Sequence, residues 1–310
     1  MTRALGLAAA VLALLSLATG AAGFGLLDPV VLWEVRAPRT ALAVLVGSGL
    51  AVSGAVLQGL LRNRLADPGL LGVTGGASLG AVLAYYWGLS AALPIALPAG
   101  GLAGALAAAA SVLAVAARAG TGSALILAGI GVAAIASSLV AMALSLAPSP
   151  FALAEITIWL LGSLEDRSWR DVWLATPAVA AGLALLLPLG ERLDALALGE
   201  ETAASLGVSL GATVARAAFG TALAVGGGAA VAGGVGFVGL IVPNLLRAAI
   251  GERPGRLLVP CAFGGAALLL AADLAVRLAP LRQELRLGVL TALIGAPVLL
   301  VVALREARAA

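Results

Sequence analysis

Residues 39–60 read RTALAVLVGSGLAVSGAVLQGL, and from Thr40 to Leu60 no residue is charged. A helix rising about 1.5 Å per residue needs roughly 20 such residues to cross a hydrocarbon core of ~30 Å, so this stretch reads as a membrane span. Further apolar runs lie at 4–24, 70–87, 93–117, 123–146, 172–189, 211–232, 236–250, 256–278 and 287–304. Together they predict an all-α membrane protein of about ten transmembrane helices, a single transmembrane domain over residues 1–310 with no loop large enough for a separate domain. The composition agrees, with 62% hydrophobic and only 11% charged residues, against roughly 25% charged in soluble domains. The first run, following Arg3 and ending near Ala18-Thr19-Gly20-Ala21, also has the form of a cleavable signal peptide. The spans after it point instead to a retained first helix.

Absent residue types exclude much chemistry. The 18 basic residues are all arginine, there is no histidine, and Cys261 is the only cysteine. A Ser-His pair, a cysteine-rich zinc site and a disulfide are therefore out of reach, and neither a catalytic nor a metal site is expected. A Walker A loop needs a lysine to reach the β- and γ-phosphates, so this chain is not itself a P-loop ATPase. The net charge of +3 is carried by arginines scattered over short loops, which form no basic face for nucleic acid.

Those arginines set orientation instead. With the N-terminus inside, the cytoplasmic ends hold Arg3, Arg62, Arg64, Arg118, Arg192, Arg216, Arg247, Arg253, Arg256, Arg305 and Arg308. The outer ends hold Arg36, Arg39, Arg167, Arg170, Arg277, Arg282 and Arg286. The imbalance places both termini in the cytoplasm, yet it leaves more outer arginines than the positive-inside rule alone accounts for.

The spans are rich in small residues, including Gly100-Gly101-x-x-Gly104 and Gly226-Gly227-Gly228. Close helix packing in lipid uses such residues, because leucine gains little by leaving lipid for protein. Gly47–Gly54 and Gly220–Gly227 also echo one another at five of eight positions. They lie five spans apart and so run in opposite directions, which is the arrangement of inverted repeats in transporters; chance in an Ala/Gly/Val-rich chain is the other reading.

The longest polar cytoplasmic segment is residues 190–210. Leu193, Leu196, Ala203 and Leu206, with Gly199 between them, predict two short amphipathic helices around a glycine turn. Such a pair, bearing Glu200, Glu201 and Gly207 beside an apolar face, is either a docking knob for another protein or a solvated connector.

Several motifs then occur in one order: Arg36-Ala37-Pro38-Arg39, Leu57-Gln58-Gly59, Arg62-Asn63-Arg64-Leu65-Ala66-Asp67-Pro68, Leu196-Ala197-Leu198-Gly199-Glu200-Glu201, Gly236-Phe237-Val238-Gly239-Leu240-Ile241-Val242-Pro243 and Gly295-Ala296-Pro297. This series, over residues 36–304, resembles the FecCD or BtuC-like permeases of ABC importers for iron-siderophores, haem and cobalamin. The resemblance implies a type II importer fold in the inner (plasma) membrane of a prokaryote. It implies a homodimer, two cytoplasmic ATPase subunits carrying ATP and Mg, a periplasmic or lipid-anchored substrate-binding protein, and no cofactor on this chain. It puts the coupling helices at Leu193–Gly207, with Leu193, Leu196, Gly199, Glu200, Glu201, Ala203, Leu206 and Gly207 as coupling residues.

Binding-protein docking falls, by the same resemblance, to Arg36, Arg39 and Arg277, whose guanidinium groups suit bidentate carboxylate contacts. Headgroup anchoring is the alternative for Arg36 and Arg39, and an ion pair with Asp273 four residues earlier is the alternative for Arg277. The inner gate maps to Thr121, Gly122 and Ser123. The resemblance also implies that a short helix from Ala154 to Ser163, with Glu155, Trp159 and Gly162, closes the outer side of the pathway. Trp159 also fits an interfacial belt, and Glu155 fits either a vestibule or the headgroup layer. Asn244, Arg64 and Arg286 depart from the histidine and prolines usual in the family, and Arg282 with Arg286 predicts a more cationic entrance.

A proton-coupled secondary carrier is the competing function. It would place Asp, Glu or His within the spans as relays, and the span interiors here are nearly free of them.

Overall fold

The computed structural model describes residues 1–20, 23–24, 28–89, 93, 95–119, 122–147, 149–279 and 285–309, without the side chains of 23, 24, 119, 122, 123 and 305–309. Its helices are α1 (Thr2–Ala18), α2 (Ala37–Leu60), α3 (Val73–Tyr86), α4 (Ala96–Ala119), α5 (Gly122–Ser145), α6 (Pro150–Leu160), α7 (Trp169–Leu186), α8 (Gly190–Ala197), α9 (Glu200–Ser205), α10 (Leu210–Ala232), α11 (Val238–Ile250), α12 (Pro254–Leu278) and α13 (Leu287–Ala309). Among the described residues, seven helices are long and apolar enough to cross a membrane: those containing α2, α4, α5, α7, α10, α12 and α13. The chain is a multi-pass membrane protein. α1, α3 and α11 coincide with three further apolar runs but are shorter.

Local sequence explains where helices begin. Pro38 and Pro254 occupy first turns, where a missing N–H costs nothing. Ser149 caps α6 by accepting from the Ala152 N–H at 3.2 Å. At α7 the Ser168 N–H donates to the Asp171 carboxylate at 2.9 Å. A π-helical turn, Val31–Arg36, leads into α2, and its Trp33 carbonyl accepts from the Trp169 indole N–H at 2.8 Å.

α2 lies at the centre. Every residue from Gly49 to Gly59 is buried. In the most apolar stretch of this span 78% of the residues are buried, against 17% in α13. α2 packs on α12 through Gly47 and Gly265, each placed so that a Cβ would collide with the other's carbonyl oxygen. α3 packs on α4 the same way, Gly76 and Gly80 against Gly104 and Gly100. The glycines of the Gly100-Gly101-x-x-Gly104 motif are thus packing glycines. The two echo segments, in α2 and α10, also meet: a Cβ on Gly49 would lie 3.2 Å from the Ala224 carbonyl oxygen.

Because the α2–α12 contact is backbone to backbone, no rotamer change can relieve an added side chain. Gly265→Val is expected to cost at least the roughly 1–3 kcal/mol of an overpacked core. Thermal unfolding of the purified protein in detergent checks this, and an unchanged midpoint would contradict the packing account.

Candidate coupling and docking sites

The 190–207 segment folds as two short helices, α8 and α9, joined at Gly199. Gly199 sits at φ +119°, a conformation that an L side chain rarely adopts. The part of the apolar face formed by Leu193, Leu196 and Ala203 points inward, onto the chain's own helices. Leu193, Leu196 and Ala203 are buried at 0%, 2% and 1% exposure. Leu196 and Ala203 pack with Ala195 against Leu60, Val208 and Leu210, and Leu193 belongs to the main core. The reason is the short helices' position beneath the bundle, where burying leucines against α2 and α12 removes them from water.

What remains open to a partner is Leu206, 62% exposed, and Leu198, 69% exposed, a residue that periodicity did not single out. Glu200, Glu201 and Gly207 are exposed beside them. Leu198 and Leu206 line a groove of about 580 Å³ whose other wall is Glu252, Arg253 and Pro254. The groove is latched by Asp194, which accepts from Arg253 Nε at 3.1 Å and from the Gly255 N–H at 2.8 Å.

Above the groove, the departures Arg64 and Asn244 lie together. Asn244 Nδ2 donates to the Arg64 carbonyl at 2.9 Å. The adjoining turn holds Asp67, whose Oδ1 accepts from the Gly69 N–H at 2.9 Å. Burial pushes the Asp67 carboxyl above its ordinary value of 3.8, partly offset by that N–H. A carboxyl whose pKa rises on folding makes the fold less stable as pH climbs from the ordinary carboxylate range through the raised value. Asp67→Asn keeps the acceptor without the charge. It is expected to unfold at a higher temperature than wild type near neutral pH, the advantage fading as the pH falls toward 4, roughly the free carboxyl's pKa.

At the opposite end Arg39 and Arg277 are largely enclosed by the protein. Asp273, 1% exposed, receives Arg39 Nε at 2.9 Å and also pairs with Arg277. Arg277 donates further to the Ser16 and Thr19 carbonyls and to Ser16 Oγ, and Ser16 Oγ is 2.7 Å from Thr40 Oγ1. The intrahelical ion pair foreseen as the alternative for Arg277 is present, with Arg39 added from α2. Arg36, half-buried, donates to the Leu17 carbonyl at 3.0 Å. These contacts pin α1 to α2 and α12. The one buried carboxylate pairs with both guanidinium groups and holds them inward.

The short outer helix is α6, which begins at Pro150 rather than Ala154, and Gly162 follows it at φ +71°. Glu155 and Trp159 line one cavity of about 490 Å³ with Tyr85, Glu165, Arg167 and Arg286. Glu155 accepts from the Tyr85 hydroxyl at 2.5 Å. The Ser163 N–H donates to the Ala232 carbonyl at 2.8 Å and ties this region to the end of α10. Arg286 Nη1 pairs with Glu165 at 2.9 Å. Arg282 and Thr121 lie outside the described residues; Gly122 and Ser123 begin α5.

The profile of the FecCD transport family matches residues 7–305. The vitamin B12 import system permease proteins BtuC of Salmonella typhi and Salmonella newport (strain SL254) are each 39% identical over 277 residues, covering 89% of this chain and 84% of theirs. A protein described as a metal-chelate type ABC transporter, solved in an inward-facing conformation, superposes with a TM-score of 0.90 at 31% identity, covering 98% of both chains. PsaBC from Streptococcus pneumoniae, solved with a Fab, matches at a TM-score of 0.51 and 15% identity over 85% of this chain and 89% of that one, a likeness of fold alone.

Proposed function

The chain belongs to the FecCD transport family, and from that premise we propose that it is the permease subunit of an ATP-driven importer that carries cobalamin or an iron chelate, a siderophore or haem, into the cytoplasm. The observation that carries the reading is the family match along nearly the whole chain, joined to a cytoplasmic helix pair that leaves Leu198 and Leu206 exposed over a groove. The 39% identity to vitamin B12 permeases supports cobalamin among these cargoes.

In this proposal ten helices cross the inner membrane as one permease domain, with both termini inside. Two copies enclose the pathway. Two ATPase chains, holding the ATP and Mg, dock at the grooves and supply the energy that a chain without lysine cannot generate itself. Thr121, Gly122 and Ser123 form the inner gate, and Glu155, Trp159 and Gly162 flank the outer side of the pathway. A binding protein docks at the outer face, where half-buried Arg36 makes the first contact, with Arg39 and Arg277 holding the surface in shape behind it. The proton-carrier reading loses ground because Asp273, buried within α12, is committed to Arg39 and Arg277.

The test is ATPase stimulation. A complex of this permease with its ATPase is expected to hydrolyse ATP faster when substrate-loaded binding protein is added, and mass analysis of the ligand retained by that protein identifies the cargo. Hydrolysis indifferent to the loaded protein would reject the proposal.

A further inference from the structure

The cytoplasmic polar network converges on one side chain. Arg247, in α11, is buried at 8% exposure. Its Nη1 donates to Gln58 Oε1 at 2.7 Å and to Asn244 Oδ1 at 3.0 Å. Gln58, 2% exposed near the end of α2, spends its amide N–H groups on the carbonyls of Ala66 and Gly239, both at 3.2 Å. Asn244 spends its own on the carbonyls of Arg64 and Leu240, at 2.9 and 2.8 Å. The loop after α2 is therefore fastened at two backbone carbonyls, Arg64 and Ala66, by two amides, and one guanidinium orients both.

On its other side Arg247 faces the groove's wall. Glu252 lies 3.9 Å from Arg247 Nε and 2.8 Å from Arg64 Nη2, and it lines the groove beside Leu198 and Leu206. Arg253, next in the chain, pairs with Asp194 of α8. A body filling the groove must press on the 252–254 turn and on α8 together, and Glu252 is the group there that also answers to Arg247.

We infer that Arg247 is a positioning residue for coupling: through Glu252 it senses the occupied groove, and through Gln58 and Asn244 it sets the loop after α2 and the cytoplasmic end of the central helix. This rests on the proposed docking of an ATPase at the groove. A guanidinium is required, because Nη1 meets both amide oxygens while Nε, on another edge of the same plane, is turned toward the carboxylate, a spread of donors that a single ammonium nitrogen does not have. Lysine retains the charge and loses that geometry. The rival account is a buried network that only holds the fold.

The experiment measures substrate transported per ATP hydrolysed, in vesicles containing permease, ATPase and binding protein, alongside the melting temperature of the complex. Arg247→Lys is expected to lower the ratio about fivefold, within the range found for residues along coupling networks, while the complex assembles and melts as wild type does. Asn244→Ala, which releases the Arg64 carbonyl and leaves Gln58 in place, is expected to lower it by a smaller factor. Wild-type ratios in both variants would overturn the inference, as would a fall matched by lost melting temperature or failed assembly, since those mark a structural role alone. Absence of ATP-driven transport by the wild-type chain would instead reject the proposed function.

Discussion

Replacing Asp273 with alanine is expected to destabilise the permease by about 3–5 kcal/mol, the cost of removing one partner from a buried ion pair. The carboxylate is 1% exposed and answers both Arg39 and Arg277. Without it, two guanidinium groups stay in a low-dielectric site with mutual repulsion in place of attraction. Asp273→Asn keeps an acceptor and is expected to lose less. Changing all three residues to apolar ones of similar volume is expected to restore much of the stability, because no charge is then left buried. Thermal unfolding in detergent orders the variants, and wild-type melting of Asp273→Ala would mean that the triad does not hold α1, α2 and α12 together.

The second large effect is expected at the groove. Leu206→Asp replaces an exposed leucine with a charge and leaves the permease's own packing alone, so its melting temperature should stay near wild type. Association with the ATPase is expected to weaken by about thirtyfold or more, the equivalent of an interface hot spot of roughly 2 kcal/mol. Leu198→Asp should act in the same direction. Leu193→Asp makes the contrast, because Leu193 is at 0% exposure and a carboxylate there unfolds the segment itself. Gly199→Pro is expected to lose coupling through the backbone, since φ +119° lies far from the proline ring's −65°. Equal association by Leu206→Asp and wild type would remove the groove from the docking surface.

Much of this architecture is legible in the sequence because lipid imposes simple rules. The apolar runs coincide with the helices, and the Leu193–Leu206 spacing around Gly199 gives the α8–α9 pair. Its orientation was not legible: in helices of eight and six residues one face must meet the bundle, and only the fold decides that Leu193, Leu196 and Ala203 take it while Leu198 and Leu206 do not. The start of α6 was missed although its signal stands in the sequence, since Ser149-Pro150 is a cap and first-turn proline as well as a turn. The ion pairs divide by distance along the chain. Asp273–Arg277 follows from helical spacing, whereas the ion pairs Arg39–Asp273 and Arg286–Glu165, and the hydrogen bond from Asn244 to the Arg64 carbonyl, join residues that the topology alone brings together. Arg286 and Asn244, conspicuous as departures from a family pattern, turn out to be matched locally by Glu165 and the Arg64 carbonyl.

The central claim is that this chain moves its cargo by ATP hydrolysed on a partner. Its most direct measurement is uptake of labelled cobalamin or ferric siderophore into vesicles containing the permease and its ATPase, with the loaded binding protein on one side and ATP with Mg on the other. The account predicts uptake that requires ATP and the ATPase and persists when proton and sodium gradients are dissipated. Uptake by the permease alone, driven by an imposed proton gradient and indifferent to ATP, would contradict it.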